Sequence, residues 1–186
     1  PFSFTLANYQ RVLSSNNMGQ SFVNSLLVSV PATIIPILIA AFAAYALAWM
    51  RFPGRMLLFL LIVGLLVVPL QVTLIPVLRL FTALGLTGTF AGIWLAHTGY
   101  GLPFAIYLLR NFFGELPREM FEAAEVDGAP AIVVFFRLVM PTSVPALASL
   151  AIFQFLWVWN DLLVALVYLG GSPSVAPMTV TVSNLV

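Results

Sequence analysis

Cysteine and lysine are absent from this 186-residue chain, and charge of either sign is scarce at 7% of residues. Without cysteine, disulfides, thiolate metal sites and cysteine nucleophiles are excluded. Without lysine, the phosphate-binding loop Gly-x-x-x-x-Gly-Lys-Ser/Thr cannot be built, so ATP hydrolysis of the usual kind is excluded. Seven arginines against six carboxylates leave a net charge of +1, too small for a nucleic-acid surface. With one histidine, His97, and no thiol, no metal site is expected. No basic start followed by a compact apolar stretch occurs in Pro1 to Gln20, so no signal peptide is read there.

Long apolar runs take the place of charge. Val12 to Met50, Met56 to Leu78, Leu80 to Leu109 and Leu138 to Asn160 contain no charged residue. Each exceeds the roughly 18–20 residues that cross a bilayer as a helix. They are continuous and do not alternate, which excludes a transmembrane β-barrel. The expected fold is all-α: a polytopic membrane helical bundle of about four spans, Phe22–Met50, Met56–Phe81, Phe90–Phe112 and Ser143–Leu169, forming a single domain over 1–186. Pro31, Pro36, Pro69, Pro76 and Pro103 fall inside these spans and predict kinks. The connections holding Arg51 and Arg55, and Arg110, Arg118 and Arg137, carry most of the basic residues, which places them on the cytoplasmic side of a multi-pass protein. Both ends then lie outside, which for the N-terminus is explained if an upstream span is missing.

Five of the six carboxylates fall between Glu115 and Asp127. Burying them in a bilayer would cost about 2.5–3.5 kcal/mol each, so this island belongs in water or at the interface. Pro117 suits a first helical position, Glu119 the positive helix end, and Gly128 a left-handed stop. Pro130 opens a second helix that must end or kink near Pro141. On the first helix Leu116, Met120, Ala123, Ala124 and Asp127 follow one side, and Arg118, Glu122 and Glu125 another.

The run Glu122-Ala123-Ala124, then Gly128, then Leu138-Val139-Met140-Pro141 resembles the EAA loop of permease subunits of binding-protein-dependent ABC importers. That loop reads Glu-Ala-Ala, three residues, Gly, nine residues, then Ile-x-Leu-Pro; Leu138 and Met140 depart from it conservatively. Asn24–Val28, Ala43–Ala48 with Arg51–Arg55, Leu102–Arg110 and Trp159-Asn160-Asp161 look like the maltose-type carbohydrate permeases within that family. The resemblance implies a coupling loop over 115–141 that docks on a partner. Glu122 would make the main polar contact, flanked by Glu125 and Asp127, with Ala123 and Ala124 as the close-packing face, Gly128 as the turn and Pro141 as its end. It implies a non-enzymatic translocation subunit in the bacterial cytoplasmic membrane that moves a carbohydrate by alternating access. Its implied partners are a dimer of ATP-binding subunits holding ATP and Mg, a second permease and an extracellular solute-binding protein; this chain binds no cofactor itself. A glycerol-phosphate or polyol importer, a self-contained ion-coupled transporter or channel, and a membrane scaffold are the alternatives.

Asp161 is the acid within a span and should face protein or water. It either bonds to a neighbouring helix or pairs with Arg79, or else lines a sugar path with Asn160, Trp157 and Trp159, whose aromatic and amide groups suit sugar faces and hydroxyls. His97 is expected to be a hydrogen-bonded helix contact. The segment Gly170 to Pro177 reads as a flexible external stretch.

Overall fold

The computed structural model describes residue 6 and residues 18–184, and every regular element among them is helical. The stretch read as free of a signal peptide lies mostly outside these residues. The helices are α1 (Met18–Trp49), α2 (Arg55–Leu65), α3 (Leu70–Ala83), α4 (Phe90–Gly114), α5 (Arg118–Val126) and α6 (Ala131–Val134). A π-helical turn (Phe135–Val139) follows, then α7 (Met140–Thr142), α8 (Val144–Trp159), α9 (Leu163–Leu169) and α10 (Met178–Ser183).

The all-α expectation holds, and the expected kinks include breaks that divide two of the spans into separate helices. Among the described residues only α1, with 32 residues, is long and apolar enough to cross a membrane by itself. α2 with α3, and α6–α7 with α8, reach that standard only if each broken pair is one span. The break after α2 falls at Leu66–Pro69, where Pro69 withdraws a backbone donor and disfavours helical geometry at Val68. α4 has the length, but His97-Thr98-Gly99-Tyr100-Gly101 dilutes its apolar character. The run Ser143–Leu169 is also interrupted, at Asn160–Leu162 between α8 and α9. Pro31 and Pro36 in α1, Pro76 in α3 and Pro103 in α4 are accommodated inside continuous helices.

The chain divides into two compact units. One comprises Pro1–Thr33, Leu70–His97 and Phe155–Val186. Val28, Ile93, Val164, Tyr168 and Val180 are buried in it. Trp94 Nε1 donates to the Leu27 carbonyl at 2.8 Å and the Tyr168 hydroxyl to the Leu74 carbonyl at 3.3 Å. The segment read as flexible is tied down here. Asn24 Nδ2 donates to the carbonyls of Ser174 and Ala176, both at 3.1 Å, and the Met178 amide donates to Ser25 Oγ at 2.8 Å. Polar residues on the first turns of α1 add these bonds to the few the segment makes to itself, from the Val175 and Ala176 amides to the Ser172 carbonyl.

The other unit comprises Ile34–Pro69 and Thr98–Gln154. Its core sets the small residues Ala40, Ala41 and Ala44 of α1 among Leu109, Phe113, Phe135, Val139 and Leu150. Small residues let helix backbones approach closely where lipid offers no hydrophobic drive. Phe42 and Phe135 stack with centroids 4.6 Å apart. The π turn ends two residues before Pro141, which has no N–H to give the preceding turn and lies one residue before the end of α7. The chain then bends by 74° into α8, so the kink expected near Pro141 is present.

α4 comes close to α8 at Gly101. A Cβ there would lie 2.7 Å from the amide atoms of Gln154, which is itself buried. Gly101→Val should therefore destabilise the full-length protein by about 1–3 kcal/mol, read as a lowered thermal midpoint in detergent. Adding Gln154→Ala should recover part of that loss; simple additivity of the two changes would contradict this close contact.

Candidate functional site

The acidic island forms α5 and its flanks. Pro117 occupies the position before the helix, with φ −57° and ψ 129°, and is not the first helical residue as expected. Glu119 lies in the first turn, where a carboxylate is favoured. Gly128, at φ 66°, closes the helix: its N–H donates to the Glu125 carbonyl at 3.0 Å and that of Ala129 to the Ala124 carbonyl at 2.9 Å. This pair of bonds is the Schellman stop that the glycine predicted.

The two faces of α5 differ from the expected pair. Leu116, Phe121 and Ala124 pack against the core of the unit, whereas Ala123 is exposed with Glu122, Glu125 and Asp127. Ala124 is therefore committed to this chain and does not share an open surface with Ala123. Phe121 was absent from the expected set, yet it holds the helix in place. Its ring stacks on Trp49, with centroids 3.5 Å apart and planes at 16°, and Trp49 Nε1 donates to the Phe113 carbonyl at 2.7 Å. The residues Leu116, Met120, Phe121 and Ala124 recur at the helical period, and that stripe was the signal available for finding it. Leu138 and Met140 also pack against the core, while Pro141 is exposed. Beside α5 lies an open cavity of about 710 Å³ lined by Trp49, Arg51, Arg55, Arg118, Glu122 and Glu125, among others.

In the first-described unit, Asp161 sits at the break between α8 and α9. Its Oδ2 accepts from the Ala165 amide at 3.0 Å and its Oδ1 from the Val164 amide at 3.4 Å. These are free N–H groups of the first turn of α9, so the carboxylate acts as its cap. The Asp161 carbonyl accepts from Thr179 Oγ1 at 2.8 Å. Arg79 is exposed and forms no pair with Asp161; the basic side chain nearest the carboxylate is His97, with Nε2 3.9 Å from Oδ2. That is too long for a hydrogen bond. Both ring nitrogens of buried His97 lack a hydrogen-bond partner, contrary to the bonded helix contact expected of it. The physical reason is that Oδ2 is already directed at the α9 backbone.

Trp157 is exposed and meets the His97 ring edge-on at 5.7 Å. Trp159 is held between Phe22, edge-on at 5.9 Å, and Phe155, stacked at 5.4 Å. Asn160 is exposed and donates to the Leu156 carbonyl at 2.7 Å. Asp161, Trp157 and His97 thus form one cluster, while Trp159 belongs to an aromatic stack. Among the described residues no group of three or more histidine or carboxylate side chains could hold a metal ion.

Residues 36–185 match the family described as the inner membrane component of binding-protein-dependent transport systems. The osmoprotective compounds uptake permease protein GgtD of Synechocystis is 66% identical over 183 residues, which cover 98% of this chain and 61% of that protein. The alpha-glucoside transport system permease protein AglG of Rhizobium meliloti is 59% identical over 190 residues, covering 100% of this chain and 50% of that protein. The diacetylchitobiose uptake system permease protein NgcG of Streptomyces coelicolor is 36% identical over 163 residues, covering 88% and 54%. The chain therefore spans half to three fifths of the length of these relatives.

If Asp161 acts as a cap, Asp161→Ala should lower the stability of the full-length protein by about 1–2 kcal/mol. Asp161→Asn should keep most of it, because an amide oxygen also caps. Thermal midpoints in detergent give the comparison; equal losses in the two variants would assign the role to charge and not to capping.

Proposed function

Because the chain belongs to the family of inner membrane components of binding-protein-dependent transport systems, we propose that it is the translocation part of an ATP-driven importer for a carbohydrate or similarly hydroxylated solute. These residues hold no nucleotide-binding loop, and on this reading a separate ATPase supplies the energy. The observation that carries the reading is the two-sidedness of α5. Glu122, Glu125 and Asp127 face solvent, while Phe121 on the same helix is stacked on Trp49 at the end of α1. The exposed carboxylates fix partner and register, and the stacked rings pass displacement of α5 to a single 32-residue helix.

On this reading α5 is the coupling helix, it faces the cytoplasm, and the helical spans alternate between inward-open and outward-open states. A dimer of ATP-binding subunits, a second permease and an extracellular solute-binding protein complete the assembly. ATP and Mg belong to the ATPase. The solute class is supported by the alpha-glucoside and diacetylchitobiose systems of two relatives. Trp157 and Asn160, exposed beside the capped break, are the candidate contacts for solute along the path.

Two variants of the full-length protein separate gripping from transmission. Glu122→Arg combined with Gly128→Asp should lower co-purification with the ATPase at least roughly tenfold and abolish ATP-dependent uptake, since a charge is reversed and a left-handed residue strained. Trp49→Ala should reduce uptake by more than it reduces association, because the carboxylates are kept while the tie to α1 is lost. Normal association and normal uptake in the Glu122/Gly128 variant would refute the coupling role.

A further inference from the structure

The cavity beside α5 carries charge that nothing among the described residues answers. Arg51, Arg55 and Arg118 line it together with Glu122 and Glu125. Among the described residues, no arginine comes within 4 Å of a carboxylate; the sole pair at that distance is His97 with Asp161. Arg55 is half-buried and held across the turn by its Nη1, which donates to the Met50 carbonyl at 3.0 Å and the Ala48 carbonyl at 3.4 Å. Among the described residues its Nε and Nη2 have no hydrogen-bond partner, and neither do the guanidinium groups of Arg51 and Arg118. Three guanidiniums against two carboxylates leave the lining with one net positive charge.

Directly after Arg55, α2 presents an apolar face. It has no buried residue, and Met56, Leu57, Leu60 and Leu61 are each more than half exposed. Their spacing puts them on one side of the helix. A basic cavity whose edge continues into an apolar helix face has the chemistry of a phospholipid: phosphate at one end and acyl chain at the other. Arginine suits this because its planar fork gives a phosphate two parallel hydrogen bonds.

We propose that this cavity binds the headgroup of a monoanionic phospholipid of the phosphatidylglycerol kind, with Arg51, Arg55 and Arg118 on the phosphodiester and the acyl chains along α2. One phosphodiester neutralises the single excess charge of the lining, which a zwitterionic headgroup would leave unbalanced. The bound lipid bridges the turn at Arg51–Arg55 and the first residue of α5, bracing the coupling helix from the bilayer side. The inference rests on the reading that α5 and this turn face the cytoplasmic leaflet.

The test uses the full-length protein without its ATPase, in detergent, with retained lipid read by native mass spectrometry. Phosphatidylglycerol should be retained over phosphatidylcholine at least roughly tenfold. Arg51→Gln/Arg118→Gln, which removes no intrachain hydrogen bond, should drop to the phosphatidylcholine level; Arg79→Gln, outside the cavity, should not. Retention unchanged in the Arg51/Arg118 variant, or equal retention of both lipids, overturns the proposal. So does displacement of the lipid by inorganic phosphate at matched concentration, which would make this a free-phosphate site. The supporting reading is checked separately: these 186 residues hold no cysteine, so Pro53→Cys, with any cysteine elsewhere in the full-length protein replaced by serine, reports by labelling in sealed vesicles which side the turn faces. An outward-facing turn sinks the reading, whereas an inward-facing turn with no lipid preference sinks the lipid site alone.

Discussion

The stack of Phe121 on Trp49 is the contact on which the rest of the acidic site depends. α5 has nine residues, no side-chain cap and no buried residue. A helix that short is marginal in water on its own, since propagation barely repays nucleation. Its Schellman stop fixes where it ends but not where it lies. Position comes from packing, and the packing is narrow: one aromatic pair at 3.5 Å, with Leu116 and Ala124 beside it. The indole is itself fixed by the bond from Nε1 to the Phe113 carbonyl. Removing that anchor would leave a charged helix whose carboxylates point nowhere in particular.

Much of this was legible in the sequence because it is written in residues with few conformational options. Gly128 takes a left-handed φ, Pro69 breaks a helix, and Pro141 is preceded by a wider turn and followed by a bend. Backbone constraints of this kind act through a residue and its immediate neighbours, so they can be read locally. The division of labour between Ala123 and Ala124 could not, because two adjacent alanines differ only in which one meets the core. Phe121 was hidden for a related reason: in a chain this rich in phenylalanine, one more aromatic is unremarked until its partner is known.

The break in the last long run was missed on different grounds. Asn160-Asp161-Leu162 lies within a stretch whose hydrophobicity is otherwise continuous, and hydropathy averages over it. The structure resolves Asp161 with bonds to the free amides of the next helix. A carboxylate there costs less than an isolated one, because backbone donors that also lack partners surround it. The same bonds explain why His97 is left unpartnered at 3.9 Å. The oxygen nearest to it is already committed, and buried imidazole without a partner is the residual cost.

Asp161 and the acidic island thus follow one rule by opposite routes. In an apolar chain each charge must find donors or find water. Asp161 finds donors three and four residues along its own chain, so it defines a helix start and leaves little capacity for anything else. Glu122, Glu125 and Asp127 find none and stay in solvent, so their capacity is kept for a partner. Carboxylates that bond inward build the fold; carboxylates that do not are where it can be gripped. The same reasoning applies with the sign reversed to Arg51 and Arg118, whose guanidiniums have no partner among the described residues, and it is why the face around α5, more than the capped break, is where other molecules should meet this protein.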